Sequence, residues 1–161
     1  MTPQALSSTK DSMATFSSAQ EGDIPTLSDL LSLLFAQEQE FKPDAQAQCS
    51  GLTTIIRNPT LGTILVARDK DTIVAMVNLL YTVSTALGER VATLEDMVVH
   101  PQCRGGGVGS ALLRHAIQHC EDRGIKRITL LTDEVNDSAQ RFYERVGFRR
   151  STMVPMRLHL P

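Results

Sequence analysis

The sequence predicts a mixed α/β (α+β) domain in which helices cover a central sheet. Three features carry this reading. Two amphipathic helical stripes open the chain, β-branched runs joined by short polar turns follow, and helix and strand then alternate toward the C-terminus. At 161 residues the chain suits one domain, able to bury roughly 70% of its unfolded surface in a single core.

Residues 1–12, within a stretch rich in Ser, Thr, Ala and Gln, read as a flexible tail, and residues 13–161 as the single domain. A short strand starts near Ala14. Asp23 can cap a helix bearing Ile24, Leu27, Leu30, Leu31, Leu34 and Phe35, with Pro25 tolerated in its first turn. A second helix is expected from Pro43 to Asn58-Pro59, burying Cys49, Leu52, Ile55 and Ile56. Thr63 to Ala67 and Thr72 to Val83 then form a hairpin around Asp69-Lys70-Asp71, and Leu87-Gly88-Glu89 turns the chain into a strand over Val91 to Val99. Ser110 to Arg123 is helical, with Leu112, Leu113, Ala116 and Cys120 on one side and Gly124 as its stop. Arg127 to Leu131 is a strand. Asp137 and Gln140 stand at capping-box spacing for a short helix bearing Phe142 and Val146 and ended by Gly147. Thr152 to Leu160 reads as a last strand.

Composition narrows the function before any motif is considered. Lys and Arg number 16 against 18 Asp and Glu, a net charge of −2, so no basic field marks a nucleic-acid binder. Five Phe, two Tyr and no Trp leave little for a base-stacking platform. The longest apolar stretch, Thr72 to Val83, is too short to span a bilayer and carries Asn78, so no membrane partner is expected. Met1 to Gln20 lacks the basic cluster and apolar core of a signal peptide, and three widely spaced cysteines fit a reduced compartment, which together point to the cytoplasm.

The sharpest local signal is Arg104-Gly105-Gly106-Gly107-Val108-Gly109-Ser110, between a strand and an amphipathic helix. Glycines let amides converge, and the helix adds its positive N-terminal end, so the place suits a phosphate or pyrophosphate. Two familiar loops fail. A P-loop counted from Gly105 would need Gly where Ser110 stands, and a dinucleotide fingerprint would need its third Gly at the same position. A loop without a ligand stays open on the glycines alone.

From Leu94 to Phe148 the sequence resembles the GNAT superfamily of acyl-coenzyme A-dependent N-acyltransferases. Val99-His100-Pro101, Arg104, Gly107, Gly109 and Ala111-Leu112-Leu113 match its core motif. Asn136, Phe142-Tyr143-Glu144 and Gly147-Phe148 match its second motif, in the same order and at compatible spacing. The resemblance implies a mostly antiparallel central sheet flanked by helices. It also implies an acetyl-CoA-dependent N-acetyltransferase that moves the acetyl group to a primary amine of a small molecule by direct attack, through a tetrahedral intermediate and without a metal.

The resemblance further assigns roles. Amides of Gly105, Gly106, Gly107, Val108, Gly109 and Ser110 would hold the coenzyme A pyrophosphate, with Arg104 framing the loop. Backbone groups of Met97, Val98 and Val99 would pair with the pantetheine arm, and Asn136 would contact it. Gly106 departs from the family, which often carries a larger residue there. Tyr143 matches the acid that protonates the departing thiolate. Strict alternation places Glu95 with Met97 on one face and Asp96 with Leu94 and Val98 on the other. Likeness to small-amine members favours Glu95 as a base acting through water, while Asp96 and His100 remain alternatives.

His115 and His119 lie one helical turn apart, but without a third ligand they read as residues of a surface helix face. The segment from Glu38 to Asp44 carries three carboxylates and occupies the place that lines the acceptor pocket in the family; a solvated helix end is the plainer reading. A protein or peptide acetyltransferase and a non-catalytic coenzyme A-binding module stay open as other functions. Members of the family are often homodimers, and nothing in the sequence fixes an interface.

Overall fold

A computed structural model describes residues 14–161, so the tail expected over residues 1–12 lies outside the described residues. The chain divides into two units, one ending at Leu131 and the other running from Thr132 to Pro161.

The first unit is built on a five-stranded sheet of order β1-β2-β3-β4-β5. The strands are β1 (Thr15–Ser18), β2 (Gly62–Asp69), β3 (Thr72–Ser84), β4 (Glu89–Val99) and β5 (Ile128–Leu130). Neighbours run antiparallel up to β4, and β5 joins β4 in parallel. That change of direction follows from the connection: hairpin turns link β2, β3 and β4, whereas a helix carries the chain from β4 to β5. The expected hairpin and the strand after Gly88 are present, and the strand expected over Arg127 to Leu131 is present over Ile128–Leu130.

Helices α1 (Ile24–Phe35) and α2 (Ala45–Arg57) bury Leu27, Leu30, Leu31 and Leu52 against Ile64, Val66, Ile73, Met76 and Val98 of the sheet. Two caps differ in kind. Asp44 caps α2 as a short acceptor should, its Oδ1 taking the Ala47 amide at 3.1 Å. Asp23 does not cap α1. It already has helical backbone angles at the end of a 3₁₀ turn, and its carboxylate instead accepts from the Gln20 amide and pairs with Arg68 at 2.7 Å.

Helix α3 (Val108–Asp122) covers β2, β3 and β4 with Leu112, Leu113 and Ala116, all fully buried, and Cys120. His119 also lies on that stripe, 9% exposed, which corrects its expected place on a surface face. Its position seven residues after Leu112 is the reason, since two helical turns return a side chain to the same face. The Arg123 Nη1 donates to His119 Nδ1 at 3.1 Å. Nε2 therefore carries the ring proton and donates to Tyr81 Oη at 3.0 Å, which frees the phenol to donate to Thr63 Oγ1 at 2.8 Å. Burial pushes the Tyr81 phenol up and the His119 imidazole down, so both stay neutral. Tyr81→Phe should cost about 1–3 kcal/mol in urea unfolding, because it strands the Thr63 and His119 groups; an unchanged midpoint would remove the network from the fold's support.

In the second unit, α4 (Asp137–Glu144) is capped by Asn136, whose Oδ1 accepts the Ala139 amide at 3.0 Å. The expected capping box from Asp137 to Gln140 does not form. The cap falls one residue earlier, and Gln140 Nε2 donates to the carbonyls of Asp133 and Glu134. Phe142, Tyr143 and Phe148 pack edge to face, with centroids 5.1 and 5.7 Å apart, and Gly147 supplies the φ of 106° that ends the turn.

The strand expected over Thr152 to Leu160 is absent. Met153, Val154, Met156, Leu158 and Leu160 are each more than 80% exposed, and among the described residues no neighbouring backbone completes a ladder along them. Pro155 removes one donor besides. Among the described residues no helix is long and apolar enough to cross a membrane.

Candidate functional site

The site begins with an irregularity in β4. Asn78 pairs with Glu95 and Met76 with Val98, so β4 spends one residue more than β3 over the same length. This bulge breaks the alternation that the sequence suggests. Leu94 lies opposite Leu79 and Val98 opposite Met76, three residues apart on β3, so Leu94 and Val98 face opposite sides of the sheet rather than sharing one. Asp96 takes the extra position with a φ of 52°, a left-handed conformation that Asp tolerates better than most residues. Its carboxylate turns under α1 and α2, while Glu95 is exposed.

A cavity of about 300 Å³ opens there. Leu31, Phe35, Leu52 and Ile55 form its walls, Phe41 and Lys42 stand in the segment before α2, and Asn78 and Asp96 supply polar groups from the sheet. Asn78 Nδ2 donates to Asp96 Oδ2 at 2.6 Å. Burial pushes the Asp96 carboxyl up to about 6; the Asn78 hydrogen bond opposes this, and the Glu95 charge adds to it. A carboxyl with that value changes state just below neutral pH, as a general base should. Asn78 Oδ1 is buried and has no hydrogen-bond partner among the described residues.

Three residues beyond Asp96 the strand ends, and its outer edge is open. β5 pairs only with Ala92, Thr93 and Leu94, so among the described residues no strand lies beside the outer edge of β4 from Glu95 to Val99. The Val98 and Val99 pairings to β3 hold the other edge. Arg104 Nε donates to the Val99 carbonyl at 3.0 Å and fastens the loop to the strand end. Gly105 and Gly107 have φ of 82° and 84°, and a Cβ added at Gly105, Gly106 or Gly107 would meet nothing within 4 Å. The glycines are thus not needed to fit the chain against itself; they leave open space in front of the amides. Gly107 is the N-cap of α3, which begins at Val108 rather than Ser110, and no side chain caps it. The first-turn amides of Val108, Gly109 and Ser110 therefore lack the acceptor that a capping side chain would give, and helix polarity makes the place attractive to an anion.

Comparison with known proteins agrees with this geometry. Residues 26–148 match the sequence pattern of the Acetyltransferase (GNAT) family. The chain belongs to that family. The N-acetyltransferase YhfO of Bacillus subtilis, itself uncharacterized, is 30% identical over 122 residues, 74% of this chain and 81% of YhfO. A mycothiol acetyltransferase of Salinispora arenicola is 40% identical over 62 residues, 38% of this chain but only 20% of that longer protein. The crystal structure of a predicted acetyltransferase from Clostridium acetobutylicum with acetyl-CoA shares the fold, with a TM-score of 0.73, 18% identity and coverage of 91% and 96% of the two chains.

Met97, Val98 and Val99 lie on the open stretch of β4, directly before the glycine loop. In the second unit, Asn136 spends its Oδ1 on capping α4, leaving its Nδ2 for other contacts. Burial pushes the Tyr143 phenol up to about 12, so it holds its proton at any neutral pH. His100 Nδ1 accepts the Gln102 amide at 3.3 Å, which ties that ring nitrogen to the turn after β4. His115 stacks on Phe16, centroids 5.3 Å apart, and among the described residues no His, Cys, Asp or Glu cluster could hold a metal. Burial pushes the Cys120 thiol up to about 11, which keeps it from acting as a nucleophile. Of the acidic segment, Asp44 lines the cavity and Glu38 and Glu40 do not. Asn78 was visible only as a polar interruption in an apolar strand; a lone amide in such a run marks a buried polar site.

Proposed function

We propose that this chain is an acetyl-CoA-dependent N-acetyltransferase acting on the primary amine of a small molecule. The observation that carries this reading is the bulge of β4, which turns a carboxylate into a cavity on the stretch of the strand whose outer edge is open, three residues before the strand ends and the chain passes to an uncapped, glycine-lined helix start. Amides of Gly105 to Ser110 would hold the pyrophosphate of coenzyme A, with Arg104 fixing the loop, and the free edge at Met97 to Val99 would accept the pantetheine amides. Asn136 would add a contact to the arm.

Asp96, in place of Glu95, would take the proton that the incoming ammonium must lose. The nitrogen of the neutral amine then forms a bond to the thioester carbonyl carbon, the C–S bond breaks, the thiolate gains a proton from Tyr143, the second proton of the nitrogen returns to the Tyr143 oxygen, and Asp96 gives the first to water. The balance is an ammonium and a thioester giving an amide, a thiol and one released proton. A cavity of about 300 Å³ has room for a small amine.

Calorimetry should show acetyl-CoA binding that Gly loop variants weaken; no binding at high micromolar concentration would overturn the proposal. Tyr143→Phe should lower kcat about tenfold and leave acetyl-CoA affinity alone. The effect is bounded because a thiol near its ordinary pKa of about 8.5 already leaves well. An unchanged kcat would remove Tyr143 from the acid role.

A further inference from the structure

The reading of the site as an amine acetyltransferase leaves its acceptor undefined, and the cavity narrows it. Its polar groups are unevenly placed. Asp96 and Asn78 come from the sheet, Lys42 and Asp44 from the stretch leading into α2, and the wall between them is hydrocarbon from Leu31, Phe35, Leu52 and Ile55, with Gln48 of α2 the one polar side chain among them, its amide already bonded to Ser28, Ser32 and the Asp44 amide. The Asp96–Asn78 pair is itself incomplete. Asn78 is 3% exposed, its Nδ2 gives one hydrogen to Asp96, and its Oδ1 accepts from no group among the described residues. With Asp96 ionised, the pair offers more acceptors than donors, the second hydrogen of the Asn78 amide being its one further donor, a set that suits a primary amine and opposes an anionic group. Phe41, 47% exposed, tilts against Phe35 with centroids 5.8 Å apart and adds an aromatic edge at the outer side.

We infer that the acceptor is a primary amine carried on a compact apolar skeleton, alkyl or arylalkyl, whose nitrogen meets Asp96 and Asn78 and whose carbon body lies on Leu31, Phe35, Leu52 and Ile55. The inference rests on the acetyltransferase reading and adds the acceptor class. An amino sugar would bury hydroxyls against hydrocarbon without partners. A polyamine would carry a second ammonium either onto that wall or to the mouth, where Lys42 stands beside Asp44 and opposes it. A phosphorylated amine would bring its anion beside Asp44 and Asp96 with only Lys42 to meet it. In this arrangement Asn78 is a positioning residue: it fixes one oxygen of Asp96 and leaves the other for the amine.

The test measures thiol release from acetyl-CoA by the full chain with 2-phenylethylamine, hexylamine, spermidine, glucosamine 6-phosphate and a short unblocked peptide, while calorimetry follows acetyl-CoA binding separately. The two apolar amines should exceed the other three in kcat/KM by tenfold or more. Asn78→Leu should raise KM for 2-phenylethylamine about tenfold with the acetyl-CoA Kd unchanged. Phe41→Ser, at an exposed position where folding is not at risk, should raise the same KM several-fold and leave kcat alone. If acetyl-CoA binds but spermidine, the sugar or the peptide is preferred, or no amine in the panel turns over, the inference is overturned while the cofactor reading stands. Loss of acetyl-CoA binding in the unaltered chain would instead overturn the acetyltransferase reading itself.

Discussion

Asp96→Asn should lower kcat by about 10²–10³-fold while raising the stability of the protein at pH 8. The first effect is the loss of a general base, for which factors of roughly 10²–10⁴ are usual. The second has the opposite sign because the carboxylate is held at a cost. Burial raises the Asp96 carboxyl from 3.8 to about 6, so the folded state binds its proton more tightly than the unfolded chain does. Its favourable contribution is complete below pH 3.8 and is lost as pH rises through about 6, a difference of roughly 3 kcal/mol at about 1.4 kcal/mol per unit. Asn keeps the acceptor for Asn78 and tolerates the left-handed backbone at this position, φ 52°. The activity of the unaltered chain should rise through pH 6 to a plateau, and the variant should lack that limb. Thermal melts at pH 4 and pH 8 together with pH–rate profiles separate the cases. If the variant is as active as the parent, or if Glu95→Gln alone removes the limb, Asp96 is not the base.

That residue also shows where the sequence stops informing. The strand from Glu89 to Val99 is legible from its β-branched composition, but the face of each side chain depends on an unbroken count of two. One bulge residue reverses every assignment beyond it, and neither Glu95 nor Asp96 differs in a way that marks which will be extruded. The register of β3 against β4 is a property of the pair, not of either strand. The glycine loop is legible for the converse reason. Positive φ at Gly105 and Gly107 is a local demand that only glycine meets easily, so composition and conformation coincide. His119 could have been placed in the core from its spacing to Leu112 alone. The segment after Thr152 carries a genuine strand alternation in Met156, Leu158 and Leu160, yet alternation names only a side-chain pattern. A strand also needs a neighbour for its amides, and that neighbour is not written in the segment itself.

Gly107→Val should weaken acetyl-CoA binding by about 10²-fold or more and lower the melting temperature as well. Position 107 has a φ of 84° and caps α3 without using a side chain. A β-branched residue there is strained whatever the space around it, at about 1–3 kcal/mol. The strain has two outlets. If the residue keeps the left-handed conformation, two methyl groups enter the space in front of the first-turn amides, where the added Cβ itself meets nothing of the protein within 4 Å. If it relaxes to an ordinary conformation, the amides of Val108, Gly109 and Ser110 no longer converge with those of the loop, and the cradle is lost. Either outcome removes an anion, so binding should fall further than stability alone explains. Gly106→Ala is the informative contrast, because Gly106 lacks a positive φ and its added Cβ also meets open space. It should cost less than tenfold in binding and little in melting temperature. Equal losses at the two positions would mean that bulk near the loop, and not the backbone geometry at Gly107, governs the affinity. Unchanged binding in Gly107→Val, measured by calorimetry with the folded variant, would show that the pyrophosphate is held elsewhere.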